Sequence, residues 1–206
     1  MSGTDNKKFW ERAAKVYTRF HEKGNRDIYA ALTKHIEPLL RADMTLLELA
    51  CGTGQLIVPL AERVKHWTAT DYAHGMVKET ARRVTLPNVD FAVEDATCLT
   101  LPDAAFDTVI IANALHIMPD PDAALREIHR VLKPGGLLIA PTFVYEGNIN
   151  NFRQALMKLV GFKTYHRWTL KSYQQFVCER GFKLREAFLI QGKLLPLAVL
   201  TATRDT

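Results

Sequence analysis

The segment Leu46-Leu47-Glu48-Leu49-Ala50-Cys51-Gly52-Thr53-Gly54-Gln55 constrains the fold more than any other part of the chain. An apolar strand runs into a Gly-x-Gly turn, and a helix-like stretch, Leu56 to Val64, follows at once. Glycines in such a turn reach positive φ and let a ligand approach backbone that a Cβ would shield. A helix starting there leaves unbonded N–H groups and partial positive charge at the turn. A small molecule with an anionic or hydroxylated part suits that place. Seventeen residues beyond Gly54, Ala69-Thr70-Asp71-Tyr72 ends a second apolar stretch on an acid, placed to bind ribose hydroxyls.

Around this unit strands and helices alternate. Strands are predicted at 44–49, 67–71, 89–93, 106–112 and 136–143, with helices at 54–65, 74–84 and 121–132. Such alternation implies parallel βαβ units with right-handed crossovers and helices on both faces. Ahead of it, Phe9, Ala13, Val16, Tyr17 and Phe20 recur at helical spacing, so 6–23 reads as an amphipathic helix. Ile28, Ala31, Leu32, Ile36 and Leu39 mark a second helix that stops near Pro38 to Asp43. After Phe143 the pattern changes. Residues 148–161 read as helical, and Thr169 can cap a further helix that ends before Gly181. The last apolar stretches, Phe182–Ile190 and Leu194–Thr203, flank Gln191-Gly192-Lys193 as a hairpin.

A chain of 206 residues without repeats or a linker suits one domain. Met1 to Lys15 is polar and charged, with no signal-like apolar run. The longest apolar runs, such as Leu194 to Leu200, fall far short of the ~18 residues of a membrane span. A soluble, cytoplasmic protein is expected. Cys51, Cys98 and Cys178 show no ligand spacing, so neither a metal site nor a disulfide is expected. The net charge of +5 is uneven, because residues 151–193 carry nine Lys or Arg against only Glu179 and Glu186. That excess suits either a solvated face of surface helices or an acidic substrate.

Two adenosine cofactors fit a strand–glycine turn–helix–strand–acid unit. A nicotinamide dinucleotide site needs a third small residue, where this chain has Ile57. The ordered set Leu47–Gln55, Asp71, Glu94-Asp95-Ala96, Phe106–Met118 and Leu132-Lys133-Pro134-Gly135-Gly136 instead resembles the class I S-adenosylmethionine-dependent methyltransferases, most closely their small-molecule type 11 group. The resemblance covers roughly residues 44 to 143. It implies an α/β, Rossmann-like doubly wound fold: a mostly parallel seven-stranded sheet, an antiparallel C-terminal hairpin and helices on both faces. The implied organisation is one domain over 1–206. An N-terminal helical lid spans 1–43, the cofactor core 44–143, a helical insert over the active site 144–170, and the last helix and hairpin 171–206.

Site roles follow from the same resemblance. Gly52 and Gly54 would approach the methionyl part and ribose of the cofactor, with Ala50 beside them. Glu48 would order the turn and the cofactor's amino group from beneath, since an acid inside an apolar strand needs a partner. Asp71 would accept both ribose hydroxyls, although an acid there can also cap the helix at 74–84. Tyr72 and Met76 would pack on the adenine, Asp95 would meet its amino group, and Ala96 would lie alongside. Asn113 would stand near the sulfonium. Tyr17, with Trp10 and Phe20 on the same helix, would close over the cofactor, or else only pack.

His116 is the candidate general base, since imidazole titrates near neutral pH, and pocket lining is its other reading. Arg153, Tyr165 and Arg167 are candidates for an acceptor that carries an acidic group. Neither an Asn/Asp-Pro-Pro-Tyr motif nor a Pro-Cys pair follows the fourth strand, which argues against nucleic-acid acceptors, and no acid stands there for a catechol-type magnesium site. The expected activity is in-line transfer of a methyl group to a small molecule, releasing S-adenosylhomocysteine. The alternatives are a non-catalytic cofactor-binding protein and a methyltransferase acting on protein or nucleic acid.

Overall fold

In the computed structural model of the chain, residues 10–11, 25–146, 164–193 and 195–205 are described. Helix α1 covers residues 25–36 and ends in a 3-10 turn, Glu37–Leu39, where Pro38 has no N–H to continue it. The remaining elements follow as β1 (Thr45–Leu49), α2 (Ile57–Leu60), β2 (His66–Asp71), α3 (His74–Arg83), β3 (Val89–Val93) and β4 (Phe106–Ile111). Next come α4 (Pro121–Val131), β5 (Leu132–Ile139), β6 (Thr142–Phe143), α5 (Leu170–Cys178), β7 (Phe182–Ile190) and β8 (Leu197–Arg204).

The sheet order is β3-β2-β1-β4-β5-β8-β6, with β7 paired to β8. From β3 to β5 the neighbours are parallel, and β8 runs antiparallel to β5, β6 and β7. Doubly wound α/β architecture with a C-terminal hairpin is therefore observed. The predicted fifth strand, 136–143, is interrupted. Ala140 still bonds Leu200, but Pro141 has no N–H, and pairing resumes at Thr142↔Ala198. β6 is thus a continuation of β5 along the same partner, β8. Likewise the helix expected at 54–65 shortens to α2 and a 3-10 turn, Ala61–Arg63, because Pro59 offers no N–H to the Gln55 carbonyl.

Side chains alternate across β1. Leu47 and Leu49 enter the core with Leu125, Ile128 and Val131 of α4 and Tyr173 and Val177 of α5. Leu46 enters the opposite core with Ile28, Leu32 and Ile36 of α1 and Leu56, Ile57 and Leu60. Full burial of such a residue contributes about 1.5–3 kcal/mol. Helix α4 begins where the Asp120 carboxylate accepts the Ala123 N–H, with Pro121 pre-set for the first turn. Helix α5 begins with a reciprocal Thr169–Ser172 capping box.

Of the predicted lid, 1–43, residues 10–11 and 25–43 are described, Trp10 and Glu11 both helical; Tyr17 lies outside the described residues. Of the insert, 147–163 lie outside them, Arg153 included. Its described ends are anchored: Tyr145 N–H donates to Trp168 O, and the N–H groups of Tyr165 and His166 both donate to His116 O. Among the described residues, no helix is long and apolar enough to cross a membrane.

Candidate functional site

The parallel strands β1, β2 and β4 end together, and the turns leaving them enclose a cavity of about 320 Å³. This is where open α/β sheets hold ligands, at the carboxyl edge where the strand order reverses. Gly52, with φ +56°, lines the cavity, and an added Cβ there would meet only Gln55 Oε1 at 3.8 Å. Gly54, with φ +82°, does not line it; its Cβ would meet Thr80 Cγ2 at 2.8 Å. The two glycines therefore serve different ends. Gly52 leaves backbone open to the cavity, and Gly54 lets the turn pack on α3. From α3, Thr80 Oγ1 donates to Gly52 O (2.6 Å) and Arg83 Nη1 to Thr53 O (3.0 Å), which ties the turn to that helix.

Asp71 ends β2 beneath this turn. One carboxylate oxygen accepts Gly52 N–H (3.0 Å) and the other accepts Ala73 N–H (2.9 Å). The acid thus ties the turn to Ala73, the residue just ahead of α3, and accepts from none of that helix's own leading N–H groups. A carboxylate has about four acceptor positions, so capacity remains for two hydroxyls. Burial pushes its pKa up to about 6 against the opposing pull of those N–H groups.

Glu48, 2% exposed, accepts Trp67 Nε1–H at 3.1 Å. The β1–β2 register pairs Glu48 with Ala69, and Trp67 lies two residues away on the same face. Burial raises the Glu48 pKa to about 8, the indole bond working the other way. Nearby, burial pushes the Cys51 thiol up, which makes it an inert packing group.

At the far wall Asp95 Oδ1 accepts from the N–H and hydroxyl of Thr97. Glu94 accepts from the N–H and hydroxyl of Thr100. Both acids line the cavity, as do Ala50, Tyr72, Met76, Ala96 and Asn113. Asn113 has φ +56°, a conformation Asn tolerates, and its Nδ2 donates to Tyr29 Oη at 3.0 Å. Its Oδ1 is buried without a hydrogen-bond partner among the described residues. Burial raises the Tyr29 pKa to about 12, so the phenol stays neutral.

Five acids line the cavity, Glu48, Asp71, Glu94, Asp95 and Asp120, and among the described residues no Lys, Arg or His does. That lining opposes the pyrophosphate of a dinucleotide and favours a cationic ligand bearing hydroxyls. The comparisons agree. Residues 47–140 match the family model of a methyltransferase domain. The demethylmenaquinone methyltransferase of Listeria monocytogenes is 30% identical over 177 residues, covering 82% of this chain and 72% of that protein. The chain belongs to the class I S-adenosylmethionine-dependent methyltransferases.

Within this family it is similar to the ubiquinone/menaquinone biosynthesis C-methyltransferase UbiE of Hydrogenovibrio crunogenus, 39% identical over 111 residues, 50% of this chain and 44% of that protein. Its fold matches that of a S-adenosylmethionine-dependent methyltransferase of Thermotoga maritima with TM-score 0.74 at 22% identity, over 95% of this chain and 98% of that one. The cofactor of this methyltransferase is S-adenosylmethionine. The anionic lining fits its sulfonium and ammonium, and Asp71 at a strand end fits its ribose.

Three of the candidate residues lie away from the cavity lining. His116 does not line the cavity; it is buried, and its Nδ1 lies 2.9 Å from Thr142 Oγ1. Burial lowers its pKa to about 4, so it is a neutral strut that joins the 3-10 turn Leu115–Ile117 to β6. Tyr165 and Arg167 do not line the cavity either. Tyr165 meets this wall through its N–H on His116 O, and the exposed Arg167 sits 5.4 Å above the Tyr145 ring. Sequence reasoning missed Tyr29, whose place on α1 hid it among core-forming neighbours. It also missed Trp67, which the register brings to Glu48.

Proposed function

We propose that this methyltransferase methylates a ring carbon of a small hydroxylated aromatic acceptor of the demethylated-quinol type. Two similar proteins carry names of that kind, one a demethylmenaquinone methyltransferase and one a quinone-biosynthesis C-methyltransferase. The observation that carries the reading is the make-up of the wall beyond β4. Ala112, Ala114, Ile117 and Met118 line it together with a polar pair, Asn113 and Tyr29, and Asp120 follows beyond them. Apolar area suits an aromatic ring, and the unpartnered Asn113 Oδ1 suits a hydroxyl donor on it.

When bound, S-adenosylmethionine supplies an electrophilic methyl group on a good leaving group. The chain's part is to hold the acceptor in line and exclude water during transfer; the ring carbon's proton is then lost to solvent as the acceptor regains its aromatic ring. Asn113 orients the hydroxyl, and Tyr29 fixes the Asn113 amide so that its oxygen faces the acceptor. An acidic group on the acceptor forms no part of this reading, because the cavity lining carries acids and Arg167 stands over Tyr145.

The test uses 1,4-dihydroxynaphthalene kept reduced, with S-adenosylmethionine, and locates the added methyl by mass spectrometry and NMR. A C-methyl product is expected; an O-methyl product or none removes the quinol reading. Tyr29→Phe and Asn113→Gly should each raise the KM of that acceptor about 10-fold, the value of one buried hydrogen bond. Their Kd for S-adenosylhomocysteine should stay within about twofold in a calorimetric titration. A matching loss of cofactor affinity would move the pair to the cofactor side.

A further inference from the structure

Helix α3 starts without a cap of its own. Its N-cap residue, Ala73, makes no side-chain bond, and no acid lies in its first turn. Leading N–H groups of a helix need partners from somewhere. Two of them find one 63 and 64 residues away in sequence: His74 N–H donates to Glu11 Oε1 and Gly75 N–H to Glu11 Oε2, both at 2.8 Å. A carboxylate there also meets the positive end of the helix dipole.

Gly75 carries a second, independent mark of the same contact. A Cβ on it would lie 2.8 Å from Glu11 Oε2 and 3.1 Å from Glu11 O. Glycine in a first helical turn is otherwise a poor choice against alanine, so its use here matches the close approach of Glu11. Beside Glu11, Trp10 packs on Ala73 and Met76 and lines the cofactor cavity. Asp71 reaches the same helix start through Ala73 N–H. The lining acid of the cofactor site and the clasp of the N-terminal segment thus share one helix end.

We propose that Glu11 is a positioning residue for methyl transfer: its carboxylate, seated on the His74 and Gly75 amides, holds Trp10 across the cavity and thereby keeps the cofactor in place. Glu11 touches no reacting atom. It acts through Trp10 and α3, and slow cofactor release is the property it sets.

The experiment measures S-adenosylhomocysteine dissociation by stopped-flow displacement in the full chain, beside thermal melts of the ligand-free protein. Glu11→Ala should speed dissociation about 10-fold, and Glu11→Gln, which retains one acceptor oxygen, should fall between it and the parent. Gly75→Ala should reproduce the Glu11→Ala rate, because the new methyl unseats the carboxylate. In the Glu11→Ala background the Gly75→Ala change should add nothing, since the two act on one contact. Trp10→Phe should raise the rate in the same direction. A lowered melting temperature with an unchanged dissociation rate would show that Glu11 only caps α3, and the proposal fails. Additive effects of Glu11→Ala and Gly75→Ala on the rate would overturn it as well.

Discussion

Asp71→Ala is expected to weaken S-adenosylmethionine binding by about 30-fold or more, read as Kd in a calorimetric titration. A carboxylate that accepts two hydroxyl hydrogen bonds is worth on the order of 2–4 kcal/mol, which converts to that ratio. The same change strips the acceptor from Gly52 N–H and Ala73 N–H, so some of the loss will come from a looser cradle. Asp71→Asn separates the two contributions, because the amide retains one oxygen of similar shape. It should hold the melting temperature nearer to the parent while still losing most of the affinity. Unchanged affinity in both variants would place the ribose elsewhere.

The second large effect is a dependence of ligand-free stability on pH, set by Glu48. Its folded pKa is about 8 against an ordinary 4.5. Between those values the folded protein holds a proton that the unfolded chain has released, so stability falls as pH rises. Two other groups share part of the range. Asp71, raised to about 6, acts in the same direction from 3.8 to 6, and His116, lowered to about 4, acts oppositely, with stability rising between 4 and 6.5. From 6.5 to 8 the decline belongs to Glu48 among these groups, and one pKa unit corresponds to about 1.4 kcal/mol.

A loss of about 2 kcal/mol across that window is therefore expected in denaturant titrations of the ligand-free protein. Glu48→Gln should flatten it, since a neutral amide can still accept the Trp67 N–H. An equal slope in parent and variant would assign the dependence to another group. Cofactor binding should run the opposite way. A cationic ligand beside Glu48 favours the carboxylate, so affinity should rise with pH up to about 8 and binding should release a proton.

What was legible in the sequence is what neighbouring residues decide among themselves. Short apolar runs broken by Gly and Pro announced the alternating α/β core, and Gly52, Asp71, Asp95 and Asn113 were placed because each sits at the end of such a run. Those residues reach the cavity by local geometry, since strand ends of a parallel sheet converge at one edge. The breaks at Pro59 and Pro141 are written locally too, in residues that cannot donate.

Tertiary structure decided the rest, where a side chain's role depends on what another element brings to it. His116 follows β4 as a catalytic base would, yet burial against β6 makes it a strut. Tyr29 looks like any core residue of α1 until the docking of that helix sets its hydroxyl on Asn113. Glu48 gains its indole partner only through the β1–β2 register, and α3 gains its cap only from Glu11. Local pattern and turn chemistry determine which elements form and which way their ends point. Burial, hydrogen-bond partnership and the protonation state of an acid are properties of the packed interior, because they depend on which distant groups exclude water from it.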